Sequence, residues 1–311
     1  VPSYDGKKIA IGYSEQGAEV DVIKIMDVDK RQFLKDSIFP TSGINSWTFD
    51  NSGLLYIWIK SADNKDPLSR LNPKTKLHRL GTEQSSDVDF FSNARYPEMN
   101  IDPSVYPYVY LSEDSRNYIF SGQGSVQQEL VTYYAPIEEL NADKISWKPL
   151  SRASDKLVRG LAIIGDDAFA ITHNNAKNYK LIGTQMKNPD WINAATIVAE
   201  KKDQTIEYFI NCKDYLLIVH SDGINNHLSK YHLKTKTTTS VKLPSTGTIG
   251  ISCMNTKTNN CRLGITSWNR PYTEYNFDAA TDILTASSFN KPPVYPAAYK
   301  DLQVEEVQVK G

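Results

Sequence analysis

The segment Ile44-Asn-Ser-Trp-Thr-Phe-Asp-Asn-Ser-Gly-Leu-Leu-Tyr-Ile-Trp-Ile59 decides how the whole chain is interpreted. Apolar and aromatic residues in its two halves are of the kind that fill a pleated, buried surface. Between them, Asp50 to Gly53 have the chemistry of a turn, because Asp binds its own backbone and Gly permits positive φ. The segment therefore predicts two antiparallel strands joined by one tight turn.

Strand-length segments of this kind return along the chain, separated by turns of Gly, Asn, Asp and Lys-Thr, and long helical periodicity is missing. We group them into an opening set of three strands and further sets of four. The opening set covers Lys8 to Ser14, Val20 to Asp27 and Phe33 to Phe39. The second set covers the strand from Ile44, then Leu55 to Lys60, Leu68 to Leu71 and Leu77 to Leu80. The next two sets lie near Tyr108, Ile119, Val131 and Trp147, and near Leu161, Phe169, Leu181 and Ile197. The last two cover Thr205 to Asn211, Leu216 to Ser221, Leu228 to His232 and Thr238 to Lys242, and then Ile249 to Met254, Arg262 to Ser267, Tyr272 to Phe277 and Leu284 to Ser287.

The sets recur about every 45 to 50 residues, which is typical of propeller blades. A sandwich of the immunoglobulin type would be complete in roughly 100 residues, and a parallel β-helix would repeat at about half this period. We therefore predict an all-β fold, a β-propeller of four-stranded antiparallel blades. We expect about six to seven blades, of which the first is incomplete or missing.

Charge and hydropathy argue against two classes of partner, although a local basic patch stays open. The 311 residues carry 35 Lys and Arg against 36 Asp and Glu, a formal net charge of -1, so no global field draws the chain to nucleic acid. The longest apolar runs, such as Tyr215 to Val219, are far shorter than the roughly 20 residues that a membrane helix needs. We expect a soluble chain, cytoplasmic or periplasmic, with no nucleic-acid or membrane partner.

The three cysteines, Cys212, Cys253 and Cys261, are too few for a disulfide framework in so long a chain. Cys253 and Cys261 flank a seven-residue stretch that predicts a hairpin loop, so a bridge between them is geometrically conceivable. We favour unbridged, partly buried thiols.

The sequence contains no recognisable active centre. A serine peptidase presents its nucleophile on a Gly-x-Ser-x-Gly elbow, whereas Gly250 to Met254 lacks the last Gly and Gly122 to Ser125 places Ser one position late. The five histidines form no His-Glu-x-x-His pattern, and His227 and His232 lie on opposite faces of an apparent strand. We therefore predict no catalytic residue, no metal ligand and no cofactor in this chain.

Several motifs resemble one known family. They are Gly12-Tyr-Ser-Glu-Gln-Gly17, Trp47-Thr-Phe-Asp-Asn-Ser-Gly53, and His78-Arg-Leu-Gly-Thr82 followed by Asp87-Val88, of which the last is the most specific. Together they resemble the propeller domain of prolyl oligopeptidases, serine peptidases that cleave after proline. The resemblance covers nearly the whole chain and weakens after about Pro103.

The resemblance implies that residues 1–298 are the propeller and that residues 299–311 lead into an α/β-hydrolase domain of the same polypeptide. This chain would then be a non-catalytic gate that filters proline-containing peptides, with no catalysis of its own, since the catalytic residues would lie outside it. The family's propeller has seven blades, whereas the strand sets above number about six, so the resemblance implies that the first family blade is missing. No side chain of this chain matches those that reach the family's substrate.

The alternative is a stand-alone propeller that binds a protein, peptide or glycan on one rim. The lack of catalytic residues favours this alternative, whereas the absence of Gly-His and Trp-Asp repeat markers speaks against it. An exposed apolar face would support the gate, because such patches mark interaction sites. A uniformly polar surface would support the stand-alone module.

Overall fold

The computed structural model describes residues 1–15, 17–63, 65–290, 301–305 and 307. Within these residues the secondary structure consists of 22 strands and four short 3₁₀ helices. The chain divides into two compact units, Val1–Lys156 and Leu157–Gly311. None of the helices in the described ranges is long and apolar enough to cross a membrane. The 3₁₀ helices are Gln84–Ser86, Pro97–Met99, Ile137–Asn141 and Ala153–Asp155.

The first unit contains two antiparallel sheets in which sequential strands are neighbours. The first sheet has six strands and the second has four. The first sheet is built from β1 (Lys8–Tyr13), β2 (Asp21–Asp27), β3 (Gln32–Trp47), β4 (Gly53–Trp58), β5 (Lys74–Arg79) and β6 (Val88–Phe91). The second sheet is built from β7 (Tyr106–Tyr110), β8 (Tyr118–Gly124), β9 (Thr132–Pro136) and β10 (Lys148–Ser151).

The second unit contains three antiparallel sheets of four strands each, again with sequential strands as neighbours. The third sheet is built from β11 (Leu157–Ile164), β12 (Asp167–Thr172), β13 (Lys180–Gln185) and β14 (Ala195–Val198). The fourth is built from β15 (Thr205–Asn211), β16 (Tyr215–Ser221), β17 (Asn226–His232) and β18 (Thr238–Val241). The fifth is built from β19 (Thr248–Ser252), β20 (Asn260–Ser267), β21 (Arg270–Asp278) and β22 (Ile283–Ala286).

The hairpin predicted between Ile44 and Ile59 is confirmed as the junction of β3 and β4. The Thr48 backbone N–H donates to the Gly53 carbonyl, and the Gly53 N–H donates to Thr48 Oγ1, both at 2.9 Å. Asp50 accepts the Ser52 N–H at 3.1 Å, and Asn51 has φ 57°, which Asn tolerates in a turn. The turn therefore closes through the residues whose chemistry predicted it.

The predicted number of blades is wrong, because the structure has five blades rather than six to seven. The opening set and the second set share one strand, β3, and so form a single sheet. The Gln32–Thr41 part of β3 pairs with β2, and the part from Thr41 to Trp47 pairs with β4. The ladder is irregular around Pro40 and Gly43, where β3 changes its partner.

Within this sheet the prediction also misplaces one strand. The short strand predicted at Leu68 to Leu71 is a turn, in which the Leu68 N–H donates to the Asp66 carboxylate at 2.9 Å and Leu71 N–H to the Leu68 carbonyl at 3.2 Å. The sheet instead gains β6, which the sequence analysis did not predict. The four later sets of strands are confirmed as the second to fifth sheets.

Each unit has its own apolar core. In the first unit, Leu55, Phe91, Tyr96 and Ile119 belong to one buried cluster, and a second cluster surrounds Trp47. In the second unit, one cluster spans the third and fourth sheets and another spans the fourth and fifth. Aromatic side chains of the strands, among them Trp47, Tyr56 and Phe91, lie in these clusters.

The predicted boundary between a propeller at 1–298 and a following segment at 299–311 lies outside the described residues, since 291–300 are not described. Of the segment 299–311, only residues 301–305 and 307 are described. The division therefore stays a prediction.

Candidate functional site

His78 on β5 is a buried histidine with a carboxylate on each side of its ring. Its Nδ1 lies 2.7 Å from Asp87 Oδ1 and its Nε2 lies 3.1 Å from Asp36 Oδ1. The Tyr56 hydroxyl donates to the other oxygen of Asp87 at 2.8 Å, and the Gly81 N–H donates to Asp36 at 2.6 Å. The imidazole is only 1% exposed, so these partners account for both of its nitrogens.

The chemistry of this cluster is that of a buried ion pair rather than of a nucleophile. Burial disfavours the charged ring, but the hydrogen bonds to Asp87 and Asp36 outweigh it and raise the pKa of His78 above 6.5. The ring binds a carboxylate on each side, so neither nitrogen is left to deprotonate a serine. His78 therefore ties β3 and the segment before β6 to β5, which explains the His78 to Val88 motif in structural terms.

A Ser-His pair occurs in the second unit, between His220 on β16 and Ser229 on β17. His220 Nε2 lies 2.9 Å from Ser229 Oγ, but its Nδ1 has no hydrogen-bond partner among the described residues. Burial, followed by the charges of Lys201 and His227, lowers the pKa of His220 to about 4. A catalytic histidine needs a carboxylate on Nδ1 to hold its tautomer and stabilise the imidazolium. The pair therefore lacks the third member of a triad.

The two serines with partial elbow sequences are not on elbows. Ser252 is the last residue of β19 and pairs with Arg262. Ser125 directly follows β8 and accepts the Gln127 N–H at 3.1 Å in the next turn. Neither is followed by a helix, so neither has the strand-turn-helix setting that a nucleophile elbow requires.

Within the ranges that the structure describes, no group of three or more His, Cys, Asp or Glu side chains could hold a metal ion. His227 Nε2 lies 2.7 Å from Asp222 Oδ2, and the His232 ring lies 4.8 Å from that of Tyr215. The described residues therefore assemble neither a catalytic triad nor a metal centre.

One exposed apolar feature stands out in the second unit. Trp268, between β20 and β21, is 87% exposed, and Ile224, between β16 and β17, is 48% exposed. Both line one cleft of about 230 Å³, together with Gly247 and Thr248. We call Ile224, Trp268 and this cleft the Ile224–Trp268 patch. An exposed Trp beside a concave surface is typical of a protein interaction site.

The sequence analysis did not predict this patch. A usable signal is present in retrospect. Ile224 follows Asp222-Gly223 and Trp268 precedes Asn269, so each apolar residue interrupts a polar turn, where packing does not require it. Ile224 and Trp268 each lie between the second and third strands of a sheet. In the second sheet the corresponding turn, between β8 and β9, also carries a fully exposed apolar residue, Val126.

The family model described as "Prolyl oligopeptidase, N-terminal beta-propeller domain" matches residues 1–290. A prolyl endopeptidase of Elizabethkingia miricola is 25% identical over 251 residues, which are 79% of this chain and 33% of that protein. A prolyl oligopeptidase of Omphalotus olearius is 25% identical over 202 residues, 63% of this chain and 25% of that protein. The chain thus spans about a third of the length of the first of these relatives.

Two solved structures show the same fold. One, from a study of two prolyl endopeptidases, superposes with a TM-score of 0.78 at 19% identity over 92% of this chain and 41% of that chain. The other, prolyl oligopeptidase B from Galerina marginata bound to a 35mer hydrolysis and macrocyclization substrate, has a TM-score of 0.76 at 19% identity with the same coverage.

Proposed function

The chain belongs to the prolyl oligopeptidase N-terminal β-propeller family, and on that premise we propose that it is the non-catalytic gate of a serine endopeptidase that cleaves peptides after proline. The observation that carries the proposal is the extent of the match. The family match to the propeller domain covers residues 1–290 of this chain. The prolyl endopeptidase of Elizabethkingia miricola is about three times as long as the segment that aligns with this chain. The chemistry of such an enzyme would therefore reside in the remainder of the polypeptide.

The state of the two buried histidines supports a non-catalytic role. His78 is held between two carboxylates, and His220 pairs with Ser229 without an acid on its other nitrogen. In this proposal an α/β-hydrolase domain of the same polypeptide supplies the serine, aspartate and histidine. The propeller restricts access to them, and domain opening admits proline-containing peptides of limited length.

We assign the contact with the hydrolase domain to the Ile224–Trp268 patch. Aromatic side chains in or beside a concave surface contribute most of the binding energy of many interfaces. Burial of Trp268 and Ile224 against a second domain would remove from water the exposed apolar surface that distinguishes this part of the second unit.

The experiment that tests this function compares long and short substrates with the full gene product. A Gly-Pro anilide reports the chemical step, and a long unfolded polypeptide containing proline reports access. The wild-type protein should cleave the anilide and largely spare the polypeptide. Trp268→Ser should raise the ratio of long to short cleavage several-fold, because a weaker domain contact opens more often.

Met254→Ser is the matched control, since Met254 is 81% exposed but lies on the β19–β20 turn, away from the residues that line the patch. It should leave the ratio unchanged. A ratio in Trp268→Ser equal to that of the wild type would contradict the patch as the domain contact, and equal cleavage of both substrates by the wild type would contradict gating itself.

A further inference from the structure

The three cysteines of this chain lie together at one end of the fourth and fifth sheets. The β19–β20 ladder pairs Ile251 with Leu263 and Ser252 with Arg262. Cys253 directly follows β19 and Cys261 is the second residue of β20, so one further step in the same register would set the two opposite each other. Cys253 and Cys261 therefore flank the turn that joins β19 to β20, at the end of this ladder.

The hydrogen bonding of β19 decides which kind of pair this is. The Ile249 N–H donates to Asn226 Oδ1 at 2.9 Å, and the Ile251 N–H donates to the Tyr208 hydroxyl at 3.0 Å. Both N–H groups therefore point away from β20, so these residues form the non-hydrogen-bonded pairs of the ladder. Pairs alternate along an antiparallel ladder, so a pairing of Cys253 with Cys261 in this register would also be of the non-hydrogen-bonded kind.

This kind of pair has the geometry that a disulfide needs. Opposite residues in non-hydrogen-bonded pairs have Cα atoms about 4.5 Å apart and side chains close together. Disulfides usually join Cα atoms separated by about 4.4 to 6.8 Å. The Cys253 thiol donates to the carbonyl of Asn260, the residue before Cys261, at 3.7 Å, so it lies beside the start of β20. No disulfide joins any of the three.

The exposure of the two thiols determines which of them reacts first. Cys261 is 4% exposed and packs in the apolar cluster of the fourth and fifth sheets, whereas Cys253 is half-buried at the edge of that cluster. A dissolved oxidant therefore reaches Cys253 first. Cys261 reacts afterwards, because its neighbour on the opposite strand brings the electrophilic sulfur to it.

The third thiol is held differently. Cys212 follows β15, is 1% exposed, and its Sγ lies 3.5 Å from Asn259 Oδ1. The Asn259 side chain also donates to the Asp214 carboxylate at 2.7 Å and accepts the Asp214 N–H at 3.0 Å. These bonds join a turn of the fourth sheet to a turn of the fifth sheet. Cys212 belongs to another sheet and has no ladder that aligns its Cβ with that of Cys261.

We propose that Cys253 and Cys261 are a redox modification site, which a small-molecule disulfide of the glutathione type converts into a reversible cross-strand disulfide. The Cys253 thiolate attacks the oxidant disulfide, forms a mixed disulfide and releases one thiol. The Cys261 thiol then gives up its proton, attacks the Cys253 sulfur and expels the second thiol. Two protein thiols are oxidised, and one oxidant disulfide is reduced to two thiols.

The test equilibrates the chain in mixtures of reduced and oxidised glutathione, alkylates the remaining thiols in denaturant and maps the peptides by mass spectrometry. The Cys253–Cys261 peptide pair should appear as the mixture becomes more oxidising and disappear again on reduction, with Cys212 alkylated throughout. Cys212→Ser should keep the bridge, and Cys253→Ser should abolish it.

The wild-type peptide map decides the outcome without the variants. A bridge that contains Cys212, glutathione left on Cys253 without a following bridge, or alkylation of all three cysteines in the most oxidising mixture would each overturn the proposal.

Discussion

At the scale of the residue, loss of the His78 side chain should strongly lower the free energy of unfolding. His78→Ala would leave the carboxylates of Asp36 and Asp87 buried without their cation. Breaking a buried ion pair in this way costs about 3–5 kcal/mol. His227→Ala is the matched control, because His227 pairs with Asp222 at 2.7 Å but its side chain is 46% exposed, and exposed pairs contribute about 1 kcal/mol or less. Urea unfolding of the two variants measures both values, and equal losses would contradict a structural role for His78.

The same histidine predicts a dependence of stability on pH. Hydrogen bonds to Asp87 and Asp36 raise the pKa of His78 above its ordinary 6.5, against the opposing effect of burial. A raised pKa means that the charged ring stabilises the folded state fully below about pH 6.5 and that this contribution is lost as the pH rises through the folded-state pKa. The difference in unfolding free energy between wild type and His78→Ala should therefore shrink as the pH rises. A difference that grows with pH would contradict the assignment.

Sequence reasoning identifies His78 only as part of a family motif. Asp87 lies nearby in the chain and belongs to the same motif, but Asp36 is 42 positions away and is brought to the ring by the pairing of β3, β4 and β5. No local pattern encodes that contact. In the same way, Trp268 and Ile224 become one patch only when the turns of the fourth and fifth sheets come together.

At the scale of the element, the connection into β19 depends on one glycine. Gly247 has φ 139°, and a Cβ there would lie 2.2 Å from the Thr266 carbonyl oxygen. Gly247→Ala should destabilise the fold by about 1–3 kcal/mol through backbone strain, and the steric clash adds to this loss. Gly250→Ala on the same strand is the control, since nothing lies within 4 Å of its Cβ position and its φ is not in the left-handed region. Thermal unfolding should show a large shift for the first variant and little for the second, and similar shifts would contradict the steric argument.

The strands themselves were largely predictable, because apolar alternation and turn chemistry act locally. Their grouping was not predictable at one place, Phe39 to Ile44. Pro40 lacks the N–H that a ladder needs, which favours the end of a strand. In the structure it lies at the irregularity where β3 leaves β2 and begins to pair with β4, so no regular ladder bond is required of it. One strand thereby serves both predicted sets, and a five-sheet fold replaces the expected larger number.

At the scale of the whole molecule, the family match and the surface lead to the same proposal. The match covers residues 1–290, and the first curated relative continues well beyond the part that this chain matches. The Ile224–Trp268 patch supplies the exposed apolar surface that the proposed hydrolase domain would cover. The expected absence of a catalytic residue stays a prediction for the chain as a whole.

The measurement that tests the central claim most directly is fluorophosphonate labelling of the native gene product, run beside this 35.0 kDa chain. A fluorophosphonate reacts with an activated serine and with little else, so the label reports where the nucleophile resides. We predict a labelled product of at least about twice this size, as two large domains would give, and an unlabelled chain that does not hydrolyse a Gly-Pro anilide. A labelled chain, or a native product that is unlabelled and no longer than this chain, would contradict the account.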